Sequence, residues 1–153
     1  MYVPSELERL RVEQNLSERE LSRRSGVSPP TVSAVLAGHA NLSSTIRVCN
    51  ALGFSLSWTF ADSETGQRRL LLLPGTLQYQ LAVFRRKYTA ATIHSLRAPR
   101  LDVRTIKSIE GENDCRFESI ERLGRLLNLE FTLIRGVHNN VMDKREENHA
   151  AHP

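Results

Sequence analysis

Two short stretches of this 153-residue chain gather side chains suited to recognition rather than to catalysis. In "SPPTVSAV", Ser28, Pro29, Pro30, Thr31, Ser33 and Ala34 offer hydroxyls, rings and a methyl group. In "DVRTIKSI", Arg104, Thr105, Lys107 and Ser108 offer a guanidinium fork, an ammonium and two hydroxyls. Hydroxyls donate and accept hydrogen bonds, and a guanidinium adds parallel donors that grip paired acceptors. Neither stretch sets a nucleophile beside a base. The sequence has no Gly-rich phosphate loop, no His/Cys/carboxylate cluster at metal spacing and no nucleophile motif. The expectation is a binding protein, not an enzyme, with no cofactor and no metal.

The elements that would present these groups are written in the capping residues. Pro4 and Ser5 suit the start of a first helix running to about Gln14 with Leu7 and Leu10 on its inner face. Ser17 and Glu20 make the Ser-x-x-Glu signature of a second helix, which ends near Ser25 before Gly26 at a left-handed turn position. Ser28 caps a third helix with Pro29 at its first position, where a missing N–H does no harm. Val32, Val35 and Leu36 face inward there; Pro29, Pro30, Thr31, Ser33 and Ala34 face out. Gly38 stops this helix. Asn41 caps a fourth, whose buried stripe is Leu42, Ile46, Cys49 and Leu52 before Gly53.

Two short helices joined by a Gly-containing turn, the second exposing small polar residues at its start, form the helix-turn-helix pattern, whose recognition helix enters the DNA major groove. The stretch "NLSERELSRRSGVSPPTVSAVLAGHANLSSTIRVCNALG" resembles the Cro/CI-type (XRE family) helix-turn-helix, the likeness covering about Leu7 to Gly53. It rests on the Leu-Ser start of the second helix, Glu20-Leu21, Gly26-Val27-Ser28, Thr31-Val32, Gly38 and Ala51-Leu52-Gly53. One departure is Pro29, where the family often has Gln; Pro supplies no donor. The resemblance implies a sequence-specific regulator of transcription, a repressor or autorepressor, binding double-stranded operator DNA through Arg19, Ser28, Pro29, Pro30, Thr31, Ser33 and Ala34. His39, in the following loop, is either a phosphate contact or simply exposed.

The pattern then recurs at an offset of 74 or 75. Leu7, Leu10 and Arg11 fall on Leu81, Phe84 and Arg85; Val27, Ser28, Thr31, Val32 and Val35 fall on Leu101, Asp102, Thr105, Ile106 and Ile109. After a one-residue step, Leu52, Gly53 and Phe54 fall on Leu127, Asn128 and Leu129. Asn in place of Gly at a helix stop is a sensible exchange, since both accept the left-handed conformation. The second half therefore resembles a diverged copy of the module. It departs in its second helix, "ATIHSLRAPRLDV", where Arg100 stands near the position of Gly26. Its outward residues Arg104, Thr105, Lys107 and Ser108 are better equipped for DNA than their counterparts. Arg85 and Glu110 occupy positions that form an ion pair in some family members, whereas the first half has Arg11 with Leu36.

Each module is followed by a period-two segment that reads as strand: Phe54, Leu56, Trp58 and Phe60 on one side of "GFSLSWTF", and Leu129, Phe131 and Leu133 in "LEFTLIRG". "RRLLLLPG" is a candidate third strand. Closing strands of this kind look like those of HipB-type antitoxins, where they pair between subunits. Unpaired edges need partners, either the other copy within the chain or a second chain, and a homodimer on a palindromic operator is the expectation. The fold class is thus mainly α: two tandem helix-turn-helix bundles, each followed by a short β-strand. The division is 1–60, a linker 61–76, a second module 77–136, and a tail 137–153 read as disordered.

Composition is consistent with this reading. Met1 to Phe60 holds six Arg against five Glu, Ala61 to Gly136 thirteen Lys and Arg against nine Asp and Glu, and the tail is net −1. A basic excess of this size suits a polyanion but equally a solvated face; Arg85, Arg86 and Lys87 admit both readings. Cys49 and Cys115 read as free thiols. His94 reads as structural or exposed, and the tail histidines His138, His149 and His152 as non-ligating. No apolar run suits a membrane and the first residues lack a signal-peptide layout, so a cytoplasmic protein is expected. The alternative function is a protein-interaction adaptor, such as an antitoxin that holds a partner protein.

Overall fold

The computed structural model describes residues 1–62, 64–88 and 103–136. Among them run α1 (Val3–Glu13), α2 (Glu18–Ser25), α3 (Pro29–Ala37), α4 (Leu42–Ala51), β1 (Phe54–Ala61), β2 (Arg68–Leu70), α5 (Leu77–Tyr88), α6 (Val103–Glu110), α7 (Phe117–Leu126) and β3 (Leu129–Arg135). The chain is mainly helical with a small sheet. α2 and α3 begin and end at the residues whose chemistry demands it. Ser17 accepts the Glu20 N–H at 3.1 Å, and its hydroxyl donates to the Glu20 carboxylate at 3.2 Å. The Glu thus closes on the hydroxyl rather than on the backbone N–H of a full capping box. Gly26 and Gly38 end α2 and α3 at φ 71° and 84°, where a Cβ is penalised.

Asn41 departs from expectation. It stands before α4, but its side chain makes no capping bond. Asp114, from the loop ahead of α7, supplies the acceptor instead, taking the Ser43 N–H at 3.1 Å and the Ser43 hydroxyl at 2.7 Å. An ionised carboxylate is the stronger acceptor for the positive end of a helix. Asn41 is committed elsewhere, in backbone pairing with Arg116.

The sheet has the order β2-β1-β3, antiparallel throughout. β1 is central, so both of its edges are occupied within the chain. The third strand is shorter than "RRLLLLPG", ending at Leu70 and leaving Leu71 to Pro74 as connection to α5. Leu71 still donates to the Trp58 carbonyl at 2.9 Å.

The two halves run parallel in element order. The starts of α1 and α5 lie 74 positions apart, as do those of α3 and α6; those of α4 and α7, and of β1 and β3, lie 75 apart. The extra residue sits in the loop before α7. The element that would correspond to α2, together with Leu101 and Asp102, lies outside the described residues. Two backbone pairings join positions 75 apart to each other: Asn41 with Arg116, and Ser57 with Thr132. Around the first, Leu42 N–H donates to Cys115 O at 2.7 Å and Phe117 N–H to Ala40 O at 3.0 Å, two bonds that exchange under the same shift. In the strands, Phe54 pairs with Arg135 and Phe60 with Leu129, again exchanging under it. Pairings with this property are related by a local two-fold. Gly53 and Asn128, each just before its strand, both take the left-handed conformation, at φ 89° and 61°.

One continuous apolar core includes residues of both halves. Trp58 is fully buried, stacks on Phe131 at 3.8 Å, and donates its indole N–H to the Leu77 carbonyl at 2.9 Å. Phe117 lies 5.5 Å from Phe131 and Phe60 6.1 Å from Phe84, centroid to centroid. Leu56 and Leu129 are also buried, and Phe54 and Leu133 pack at the margin. The strand aromatics are core. Ile46, expected in the buried stripe of α4, is half-buried.

Arg85 and Glu110 meet, as their positions imply. The guanidinium grips the carboxylate through two hydrogen bonds, Nε to Oε1 and Nη2 to Oε2, with the side chains only 11% and 9% exposed. Arg85 therefore belongs to the packing of α5 on α6, not to a surface patch; Arg86 is exposed. In the first half Arg11 turns to Glu8 and to the Leu16 carbonyl, Leu36 offering no acceptor. Both cysteines are free; burial pushes the Cys49 thiol up to about 12.

Candidate functional site

α2 and α3 pack against each other across the Gly26 turn, with Leu21, Val27, Val32 and Val35 buried between the helices and the core. That burial leaves Ser28, Pro29, Pro30 and Ser33 exposed on α3, with Thr31 and Ala34 half-buried beside them. The two prolines at the first positions of α3 add rigid surface without losing an intrahelical bond. Ser28 Oγ lies 2.8 Å from Thr31 Oγ1 and accepts the Thr31 N–H. Ser33 donates to Glu18 at 3.3 Å. Arg19 is exposed at the start of α2. The face of α3 is therefore polar and uncharged, with one carboxylate at its border.

α6 presents a different surface on the same scaffold. Ile106 and Ile109 are buried, which leaves Arg104 and Lys107 exposed and Thr105 and Ser108 half-buried. Beside them a cleft of about 320 Å³ is bounded by Arg104, Thr105, Ser108, Arg116 and Ser119. Arg116 and Ser119 belong to no candidate set read from the sequence; the signal was the 75-residue offset from Asn41, a loop position in the first half. Cys115, in the wall of this cleft, is held protonated, its thiol raised to about 11 by burial and by Asp114.

The loops after α3 and before α7 meet where Asn41 pairs with Arg116. His39 is 66% exposed there, its Nδ1 3.3 Å from the Glu118 carboxylate. Arg116 donates to the His39 carbonyl at 3.4 Å and to Glu118 at 3.3 Å. These are exposed contacts, worth little to stability, and they set an imidazole and a guanidinium beside each other. α3 and α6 each end a few residues before this junction.

Among the sequence-read candidates, the structure gathers Ser28 to Ala34 on one helix face and Arg104 to Ser108 on another. It places Phe54, Leu56, Trp58, Phe60, Leu129, Phe131 and Leu133 on the paired strands β1 and β3. His94 and the tail residues His138, His149 and His152 lie outside the described residues. Among the described residues no group of His, Cys, Asp or Glu is placed to hold a metal ion, and no helix is long and apolar enough to cross a membrane.

A family model described as Helix-turn-helix matches residues 7–58, from the second turn of α1 into β1. The match covers about a third of the chain and makes this segment similar to the DNA-binding helix-turn-helix of the XRE type. No curated protein and no solved structure matches the chain.

Proposed function

We propose that the chain is a sequence-specific, double-stranded DNA-binding repressor, acting in the cytoplasm, and that its second half is a diverged helix-turn-helix working beside the first. The observation that carries this is α3: a short helix fixed by Ser28 and Gly38, set on α2 by a left-handed glycine, exposing its leading residues inside the matched segment. Arg19, Ser28, Pro29, Pro30, Thr31, Ser33 and Ala34 form the first contact surface; Arg104, Thr105, Lys107 and Ser108 form the second. His39 and Arg116 approach the phosphates between them. The element order and the 74- and 75-residue spacings support the second module, as does the Arg85–Glu110 pair. The modules are 1–60 and 77–136, joined by 61–76.

The expectation of a homodimer has two grounds: a single short recognition helix supplies few contacts, and strand edges need partners. β1 has both edges paired within the chain, while the outer edges of β2 and β3 have no strand partner among the described residues; two reading helices in one chain would answer the first ground without a second chain.

The test is a footprint on DNA upstream of the protein's own gene, with affinity followed against salt. Neutralised phosphates release counterions, so six contacts would weaken binding about 1,000-fold between 50 and 200 mM salt. Affinity independent of salt, with no protected segment, would remove the reading. One observation favours a second reading as a protein-interaction adaptor of the antitoxin kind: an open apolar groove of about 930 Å³ beside Leu70 to Leu73, with Leu72 86% exposed. Binding to a partner protein with no DNA affinity would support it.

A further inference from the structure

We infer that one chain occupies one operator, and that this operator is asymmetric: two half-sites of different sequence, one helical turn apart, read by α3 and α6 respectively. The inference rests on the DNA-binding reading above and deepens it. A homodimer repeats one reading helix about its two-fold, which is why operator palindromes mirror protein symmetry. Here the local two-fold lies inside the chain, through the Asn41–Arg116 and Ser57–Thr132 pairings. The two-fold relates the backbone at these pairings but not the side chains that α3 and α6 display.

Chain length sets an upper limit on the spacing. Ser33, midway along α3, is four helical residues from Ala37 and four more from Asn41. At about 1.5 Å per helical residue and at most about 3.5 Å per extended one, it lies within about 20 Å of the junction. Lys107 lies three helical and six extended residues from Arg116, within about 26 Å by the same reckoning. Adding about 5 Å across the bridge, the two reading faces are at most about 50 Å apart. That admits major-groove segments one turn apart, about 34–36 Å, and excludes two turns, about 70 Å.

The difference between half-sites follows from the displayed groups. α6 exposes Arg104 and Lys107, and a guanidinium makes the two-bond contact to guanine O6 and N7. α3 has no cation on its reading face; its proline rings, Ala34 methyl and hydroxyls suit a thymine methyl and single hydrogen bonds, with Ser33 turned to Glu18. One half-site should carry guanine and the other should be rich in A·T pairs.

The experiment selects a randomised double-stranded DNA library on the full-length chain, then measures stoichiometry on the enriched duplex by sedimentation. An asymmetric motif with guanine in one half only, bound by one chain, is the expected result. Moving the halves apart by half a turn should then weaken binding at least 100-fold. Arg104→Ala with Lys107→Ala should cost about 10- to 100-fold and flatten preference in the guanine half alone. A palindrome bound by two chains would overturn the inference while leaving DNA reading intact. A single half-site unaffected by the double substitution would also overturn it, since α6 would then read nothing. Enrichment of no sequence, with affinity flat against salt, would instead sink the DNA-binding reading.

Discussion

Gly124 sits in the last turn of α7, buried and without the positive φ that would demand glycine. In an open helix its replacement by Ala would stabilise by about 1 kcal/mol, because Gly loses more backbone freedom on folding. At this site a Cβ would lie 2.5 Å from both Cη2 and Cζ3 of Trp58, against a comfortable carbon–carbon separation of about 3.5–4.0 Å. The indole has little room to retreat: it is fully buried, stacked on Phe131 at 3.8 Å and bonded to the Leu77 carbonyl. Overpacking of this kind costs about 1–3 kcal/mol, against at most about 1 kcal/mol gained by the helix. Gly124→Ala should therefore unfold at lower urea with an unchanged slope, and melt lower by up to about 8 °C. In a Trp58→Phe background the clashing atoms are absent, and the same substitution should be neutral or stabilising, a coupling of at least about 1 kcal/mol. A Gly124→Ala protein as stable as the parent, with no coupling, would refute the packing argument.

Glu110→Ala should cost about 1.5–3 kcal/mol in chemical denaturation, because it removes the carboxylate that the Arg85 guanidinium grips through two hydrogen bonds in a nearly closed site. Asp114→Ala should cost about 1 kcal/mol by the same measurement, as loss of a helix cap supplied from the other half. Glu112, at φ 62°, stands where Gly38 stands in the first half and accepts the Thr76 hydroxyl; Glu112→Gly relieves about 1 kcal/mol of left-handed strain but loses that bond, so in a Thr76→Ala background, where the bond is already gone, it should raise the melting temperature. On the selected duplex, Arg104→Ala should cost about 1–3 kcal/mol of binding and relax the preference at one base, whereas Thr31→Ala should cost about 1 kcal/mol. Fluorescence anisotropy on matched and base-substituted duplexes separates the two.

The parts that the sequence made legible are those with local causes. Ser17, Gly26, Ser28 and Gly38 act through their own backbone neighbourhood, and each marks a boundary where the structure has one. The alternation of Phe54 to Phe60 and of Leu129 to Leu133 is likewise a property of single segments, and it yielded both strands. What escaped notice depends on residues distant in sequence. Asn41 looks like a cap by position, and only the folded chain brings Asp114, 71 residues from Ser43, to displace it. Gly124 looks like a weak helix residue until Trp58 is seen against it. Arg116 reads as an ordinary loop cation, although the 75-residue spacing already pointed to Asn41. The exposed faces of α3 and α6 were legible in the sequence, whereas their arrangement about a common junction was not.

The pairing of β1 with β3 inside one polypeptide has a hereditary consequence. In a homodimer each codon is used twice, so a change in the reading helix alters both half-sites together, and the DNA must change at two places to follow. Here α3 and α6 are encoded separately while the strands hold them in fixed relation. If both helices read DNA as proposed, either could drift toward a new sequence while the other kept its grip, and a single base change in the operator could be matched by a single codon.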